Sequence, residues 1–241
     1  IDDPRTRRRM SRMQRNELDT YSMAGIEVIA ARTGYTGEDL GYELFVHPDQ
    51  AEKLWRSILE VGEKYGVMPA GLGARDSTRV EAGLPLYGHE LAGEENICPT
   101  EAGFGAYVKF HKPFFIGRDR YIQKARSMND IDKKIVRFEV TAKSARMIRE
   151  GCPVFGRKGR FMGSVTSCAK IGRDQIGMAY VKKGPGTEEG DLIRLIPSLS
   201  KEEELNVNFN YDSELPTIHE GRILSRFPET EEGVPGMRAG E

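Results

Sequence analysis

The sequence predicts an α+β protein, with an antiparallel α/β domain followed by a small C-terminal antiparallel β-barrel. Three observations predict it. Two β-branched, roughly alternating runs, Gly25–Ala31 and Tyr42–Val46, flank a glycine-rich connection. A helix of clear 3.6-residue period follows, over Asp49–Tyr65. Beyond residue 134 the pattern changes to short strands separated by turn residues.

Residues 1–24 are polar and charged, and predict at most a helix near Arg7–Leu18 with a thin apolar face. The basic cluster Arg5-Thr6-Arg7-Arg8-Arg9 reads as a solvated, frayed terminus rather than a binding arm. The first residue is Ile1, so the sequence reads as the middle of a longer chain or one product of a divided one. Residues 1–24 lack apolar alternation, so partners for the following strands are expected from elsewhere.

The connection Arg32-Thr33-Gly34-Tyr35-Thr36-Gly37-Glu38-Asp39-Leu40-Gly41-Tyr42-Glu43 holds three glycines, two tyrosines and three carboxylates. Glycines permit φ > 0 or close approach to a ligand. The tyrosines offer flat faces, and Glu43 offers a two-oxygen acceptor edge at a strand start. A surface hairpin with a long turn fits the same composition. A phosphate loop does not, because no Gly-Lys-Ser/Thr is present and no helix opens on the glycines.

In the next helix Asp49 suits an N-cap, with Glu52 at capping-box spacing, and Gly66 marks the stop. Leu54, Trp55, Ile58, Leu59 and Gly62 share one face, which predicts Trp55 in the core. Ala74–Ala82 predicts a second helix closed by Gly83, with Arg75 and Arg79 on one face. Those arginines serve either a solvated ion pair with Asp76 or a cleft. Leu84–Leu91 reads as extended or turning, Pro99–Lys109 as strand-like towards its end, and Arg120–Arg126 as helix. Strands are predicted at Ile135–Val140, Val154–Phe155, Phe161–Ser167, Ile176–Val181, Leu192–Ile196 and Glu220–Leu224, with a hairpin turn at Gly156–Gly159. Domain limits follow at 1–126, a linker at 127–134, the barrel at 135–228 and a disordered tail at 229–241. Ser198–Pro216 reads as an acidic loop.

With 241 residues the chain can bury two cores. A net charge of −1 gives no sign of a nucleic-acid partner. No apolar run suits a membrane span or a signal peptide, which excludes a membrane partner from this reading. Cys98, Cys152 and Cys168 are far apart and odd in number, so they read as free thiols in a reducing compartment: the cytoplasm, or the mitochondrial matrix in a eukaryote. The four histidines are equally scattered, and no metal site is predicted.

Several blocks together carry a family likeness. The stretch Arg32–Glu43, the block Pro69-Ala70-Gly71-Leu72-Gly73-Ala74-Arg75-Asp76 continuing to Leu91, Pro99–Phe104 and Phe115–Arg118 resemble the glycine cleavage T-protein, an aminomethyltransferase family. Gly163–Ser167 and Gly177–Val181 resemble strands of that family's C-terminal barrel. The likeness runs from about Ala24 to Val181, and this chain resembles the C-terminal part.

The resemblance implies that residues 1–126 form a tetrahydrofolate-binding domain, incomplete at its N-terminus. It places Tyr35 and Glu43 at the pterin and Arg75 at the folate or beside a site carboxylate. It implies one-carbon transfer from the lipoyl arm of an H protein to tetrahydrofolate. The alternatives are a related folate-dependent demethylase with another one-carbon donor, or a folate-binding module without transferase activity. The family's catalytic aspartate has no counterpart here, so the catalytic residue is unknown. A separate or removed N-terminal half is expected to supply it, docking beside Ala24–Phe45, and the chain alone is expected not to catalyse the transfer. Three departures stand out: Leu40 lengthens the loop by one residue, Ala106-Tyr107 replaces a common tryptophan, and Ser198–Pro216 is inserted.

Overall fold

A computed structural model describes residues 1–91, 93, 95–126, 132–140, 145–197 and 218–228. Most of the expected linker, the acidic loop and the tail lie outside the described residues. The chain divides into two compact units, Ile1–Thr78 and Arg79–Glu241.

The first unit opens with α1 (Pro4–Met10). The Asp3 carboxylate caps it by accepting from Thr6 N–H at 2.9 Å, and Pro4 sits where its missing N–H costs nothing. The expected helix at Arg7–Leu18 is therefore earlier and shorter. The arginines are not a frayed terminus either. Arg9 pairs with Asp19 at 3.0 Å, donates to Thr20 O at 2.8 Å and lies 4.9 Å from the Tyr21 ring centre.

Strand β1 (Leu18–Met23) was not legible in the sequence. It pairs antiparallel with β2 (Ile26–Ala31), which in turn pairs with β3 (Glu43–Phe45). Strand β2 thus finds a partner within this chain, against expectation. Only Tyr21 and Met23 of β1 are buried, too few apolar residues to show a period. They join Met13, Ile26, Val28, Ala30 and Leu54 in one core.

Helix α2 (Pro48–Gly62) and a 3₁₀ turn at Glu63–Tyr65 follow, closed by Gly66 at φ 75°. The cap is His47 rather than Asp49: its Nδ1 accepts from Asp49 N–H at 3.4 Å, with Pro48 at the first helical position. Of the predicted apolar face Leu54 and Gly62 are buried, whereas Trp55 stays 51% exposed and is not core. Helix α3 (Leu72–Glu81) contains the division between the units.

In the second unit, a 3₁₀ turn at Gly105–Tyr107 stands where a strand was expected, and α4 spans Arg118–Arg126. Six strands then close a barrel. They are β4 (Lys133–Val140), β5 (Pro153–Phe155), β6 (Phe161–Ile171), β7 (Asp174–Lys182), β8 (Leu192–Leu195) and β9 (His219–Leu224), in the order β4-β7-β6-β5-β8-β9. Closure pairs every edge, so no strand is left as a template for aggregation. The interior holds Val136, Phe138, Val140, Val154, Ile193 and Leu195. Alternation sends Ile135, Met178 and Tyr180 to a second cluster with Val80 and Ile97. Cys98, Cys152 and Cys168 are free, as expected. Burial, with Cys152 nearby, pushes the Cys168 thiol up to about 12, which leaves it protonated and inert at neutral pH.

His219 gives the barrel a pH dependence. It is 6% exposed, its Nε2 has no hydrogen-bond partner among the described residues, and burial lowers its pKa from 6.5. Above 6.5 the ring is neutral in both folded and unfolded chains. Below 6.5 the unfolded chain takes the proton first, so stability falls with pH, by up to about 1.4 kcal/mol per pH unit for one proton. Melting curves between pH 7.5 and 5 should therefore show an acid loss that is reduced in His219→Gln. An equal loss in both proteins would assign it elsewhere.

Candidate functional site

The glycine-rich loop is fixed at both ends. At its start Arg32 N–H donates to Glu17 O at 2.8 Å, and the Arg32 Nη1 donates to Met13 O at 2.7 Å. At its end Tyr42 OH donates to Met10 O at 3.1 Å. The β2–β3 register sets Ala31 opposite Glu43, and continued two residues it brings Thr33 towards Gly41. There the backbones close up: a Cβ on Gly41 would lie 3.3 Å from Thr33 O, tighter than ordinary contact. Glycine suits that approach, since any side chain would need the Thr33 backbone to give by a few tenths of an ångström.

Glu43 stands at this neck, Tyr35 lies within the loop and Arg75 reaches Tyr35 from α3. Thr33 Oγ1 donates a short hydrogen bond to Glu43 Oε2. Among the described residues no hydrogen bond reaches Glu43 Oε1. Glu43 is exposed at the start of β3, and Tyr35 is half-buried within the loop. The Arg75 guanidinium, from α3, lies 5.6 Å from the Tyr35 ring centre. Arg75 is exposed along its own helix, so its cation meets the ring face in partly solvated surroundings, where such contacts are worth about 0.5–1 kcal/mol. The structure thus brings Tyr35 and Arg75 together and sets Glu43 at the far end of the same loop. Sequence reading missed Thr33. Diagonal neighbours on an antiparallel pair come within reach of one another, but that diagonal exists only once the register is known.

Arg79, grouped with Arg75 by spacing, is fully buried in the second unit. Its Nη1 donates to Glu90 Oε2 at 2.7 Å and its Nη2 to Ser167 Oγ at 2.8 Å, while Ser167 Oγ donates to Glu90 Oε1. Leu86 N–H adds a bond to Glu90 Oε2 at 2.9 Å. A second buried centre forms around Glu101, which accepts from Cys98 N–H, Lys124 Nζ and Tyr180 OH at 2.7–2.8 Å. Burial works to raise the Glu101 carboxyl, but these donors outweigh it and hold its pKa below the usual value. Burial, followed by the Glu101 carboxylate itself, pushes the Tyr180 phenol up. Both centres tie segments outside the barrel to its strands, at Ser167 and at Tyr180. Among the described residues no group of three or more metal-ligating side chains occurs.

In chain order, a sheet-and-helix unit is followed by a unit that contains a closed barrel. Residues 7–112 match the family described as the GCVT N-terminal domain. The chain is 49% identical over 138 residues to the aminomethyltransferase of Thermoanaerobacter pseudethanolicus, covering 57% of this chain and 34% of that protein. It is 41% identical over 179 residues to the aminomethyltransferase of Halothermothrix orenii, covering 73% of this chain and 48% of that protein. The crystal structure of glycine cleavage system aminomethyltransferase T from Bartonella henselae shares the fold, with a TM-score of 0.63 and 24% identity, over 82% of this chain and 48% of the other. Over these stretches the chain is similar to the GCVT N-terminal domain family and to proteins named aminomethyltransferase. It spans between a third and a half of the length of the relatives it matches.

Proposed function

We propose that this chain forms the tetrahydrofolate-binding part of an aminomethyltransferase that passes a one-carbon group to the folate. The observation that carries the reading is the loop neck itself: an exposed Glu43 beside Thr33, and Tyr35 under Arg75, in a chain related to aminomethyltransferases.

The residues fit the pterin end of a folate. Its aminopyrimidine edge presents adjacent N–H donors, and a carboxylate accepts such a pair through its two oxygens. Thr33 steadies Glu43 through Oε2, leaving Oε1 for a donor. Tyr35 offers a ring face, and Arg75 holds that ring while presenting a guanidinium that can fork onto a carboxylate, as a lysine cannot. Bound tetrahydrofolate would supply the amines that accept the carbon. The residues of this chain bind and orient it, which lowers the barrier by positioning rather than by covalent catalysis. The proton-transfer group, the lipoyl-carrying H protein and the N-terminal half of the enzyme belong to the same proposal. An exposed apolar row fits that half: Leu18 is 69%, Ile29 42% and Phe45 57% exposed, with Ile29 and Phe45 paired across β2 and β3.

Glu43→Gln tests the reading, because it keeps the size and puts an amide donor where two acceptors are needed. Titration calorimetry of the intact protein with tetrahydrofolate should show binding weaker by about 1.5–3 kcal/mol, the range for a charge-assisted hydrogen bond. Unchanged affinity would remove Glu43 from the site.

A further inference from the structure

The barrel carries a concavity of about 310 Å³ between the β5–β6 turn and the segment that follows β7. Its lining includes Arg157, Lys158, Arg160, Lys182 and Lys183, with Asp191 as its carboxylate. In a chain of net charge −1 this is a strong local excess of positive charge. Asp191 offsets one of these five positive charges, and its Oδ2 accepts from Glu188 N–H at 2.9 Å. Lys182 has Asp132 at 3.4 Å. Among the described residues no carboxylate pairs with Arg157, Lys158, Arg160 or Lys183.

The backbone that carries these cations is built. Gly156 N–H donates to Arg160 O at 2.9 Å and Gly159 N–H to Gly156 O at 3.0 Å, which fixes the turn. Thr187 Oγ1 donates to Gly184 O at 2.8 Å, which fixes the opposite wall. Met162 is buried beneath them. Like charges gathered around one hollow repel each other, and an anion in the hollow converts that cost into attraction.

We propose that this concavity binds a small polyvalent phosphate, a diphosphate group either free or carried by a nucleotide. Its volume lies at the small end of small-molecule pockets. Two arginines within it can fork onto phosphate oxygens, and two lysines add point charge. The site lies wholly within the second unit, and the proposal does not depend on the folate reading.

The test is calorimetric titration of the protein with pyrophosphate, with ADP and with a hexaglutamate peptide, at low and at physiological salt. The expected result is one-to-one binding of pyrophosphate that weakens with salt and falls at least tenfold in Arg160→Gln/Lys183→Gln. The exposed turn variant Arg173→Gln should match the parent. All these side chains are exposed, and melting curves confirm that the variants fold. ADP binding more tightly than pyrophosphate assigns a nucleotide, and the reverse assigns the free anion. Absence of saturable binding, equal binding by the double variant, or preference for hexaglutamate would overturn the proposal.

Discussion

Glu90→Ala is expected to destabilise the barrel unit by about 3–5 kcal/mol, the cost of leaving one member of a buried ion pair behind. Arg79 and Glu90 are both fully buried, and the guanidinium gives Nη1 to the carboxylate and Nη2 to Ser167. Removal of the carboxylate takes the charged partner from a buried guanidinium whose other partners include Ser167 and the Leu84 carbonyl, the latter at 3.3 Å. It also releases Leu86 N–H, which fixes the turn after α3. The double variant Arg79→Met/Glu90→Leu removes both charges together and should recover most of the loss. Denaturant unfolding at neutral pH checks both. A single variant within about 1 kcal/mol of the parent would show that the pair is solvated in solution, since exposed pairs are worth no more than that.

Gly163→Ala is expected to be nearly as harmful, although it adds one methyl. Gly163 sits opposite Val181 in the β6–β7 ladder at φ 155°. A Cβ there would fall 2.0 Å from Tyr180 O and 2.9 Å from Val181 Cα. Both are backbone atoms, so no side chain can swing aside, and the ladder itself must part. Overpacking and the strained backbone each cost roughly 1–3 kcal/mol, for a sum of about 2–6 kcal/mol. The loss should appear as a lower melting temperature and faster amide exchange in β6 and β7. Unchanged exchange at Tyr180 and Val181 would contradict the close approach.

The sequence by itself determined the barrel and much of the first sheet. Six of the strands were legible because their buried residues are β-branched and their turns carry glycine, as at Gly156–Gly159. Helix α2 was legible because its period is strong. The residues of the loop were singled out by the resemblance, because their composition alone fits a surface hairpin as well. Where periodicity was thin the reading failed. Strand β1 buries only Tyr21 and Met23, so two residues had to stand for a strand. Trp55 shows the opposite error, because helical period says which residues share a face but not whether anything covers it. Tertiary structure alone decided the pairs. Arg75 and Arg79 look equivalent on a helix, yet one lies against Tyr35 and the other is sealed against Glu90, 11 residues onward, and Ser167, 88 residues onward. Thr33 became a partner of Glu43 only through the β2–β3 register. Local propensity acts over a few residues, whereas charge pairing and register depend on which distant backbone segments the packing brings within hydrogen-bond reach.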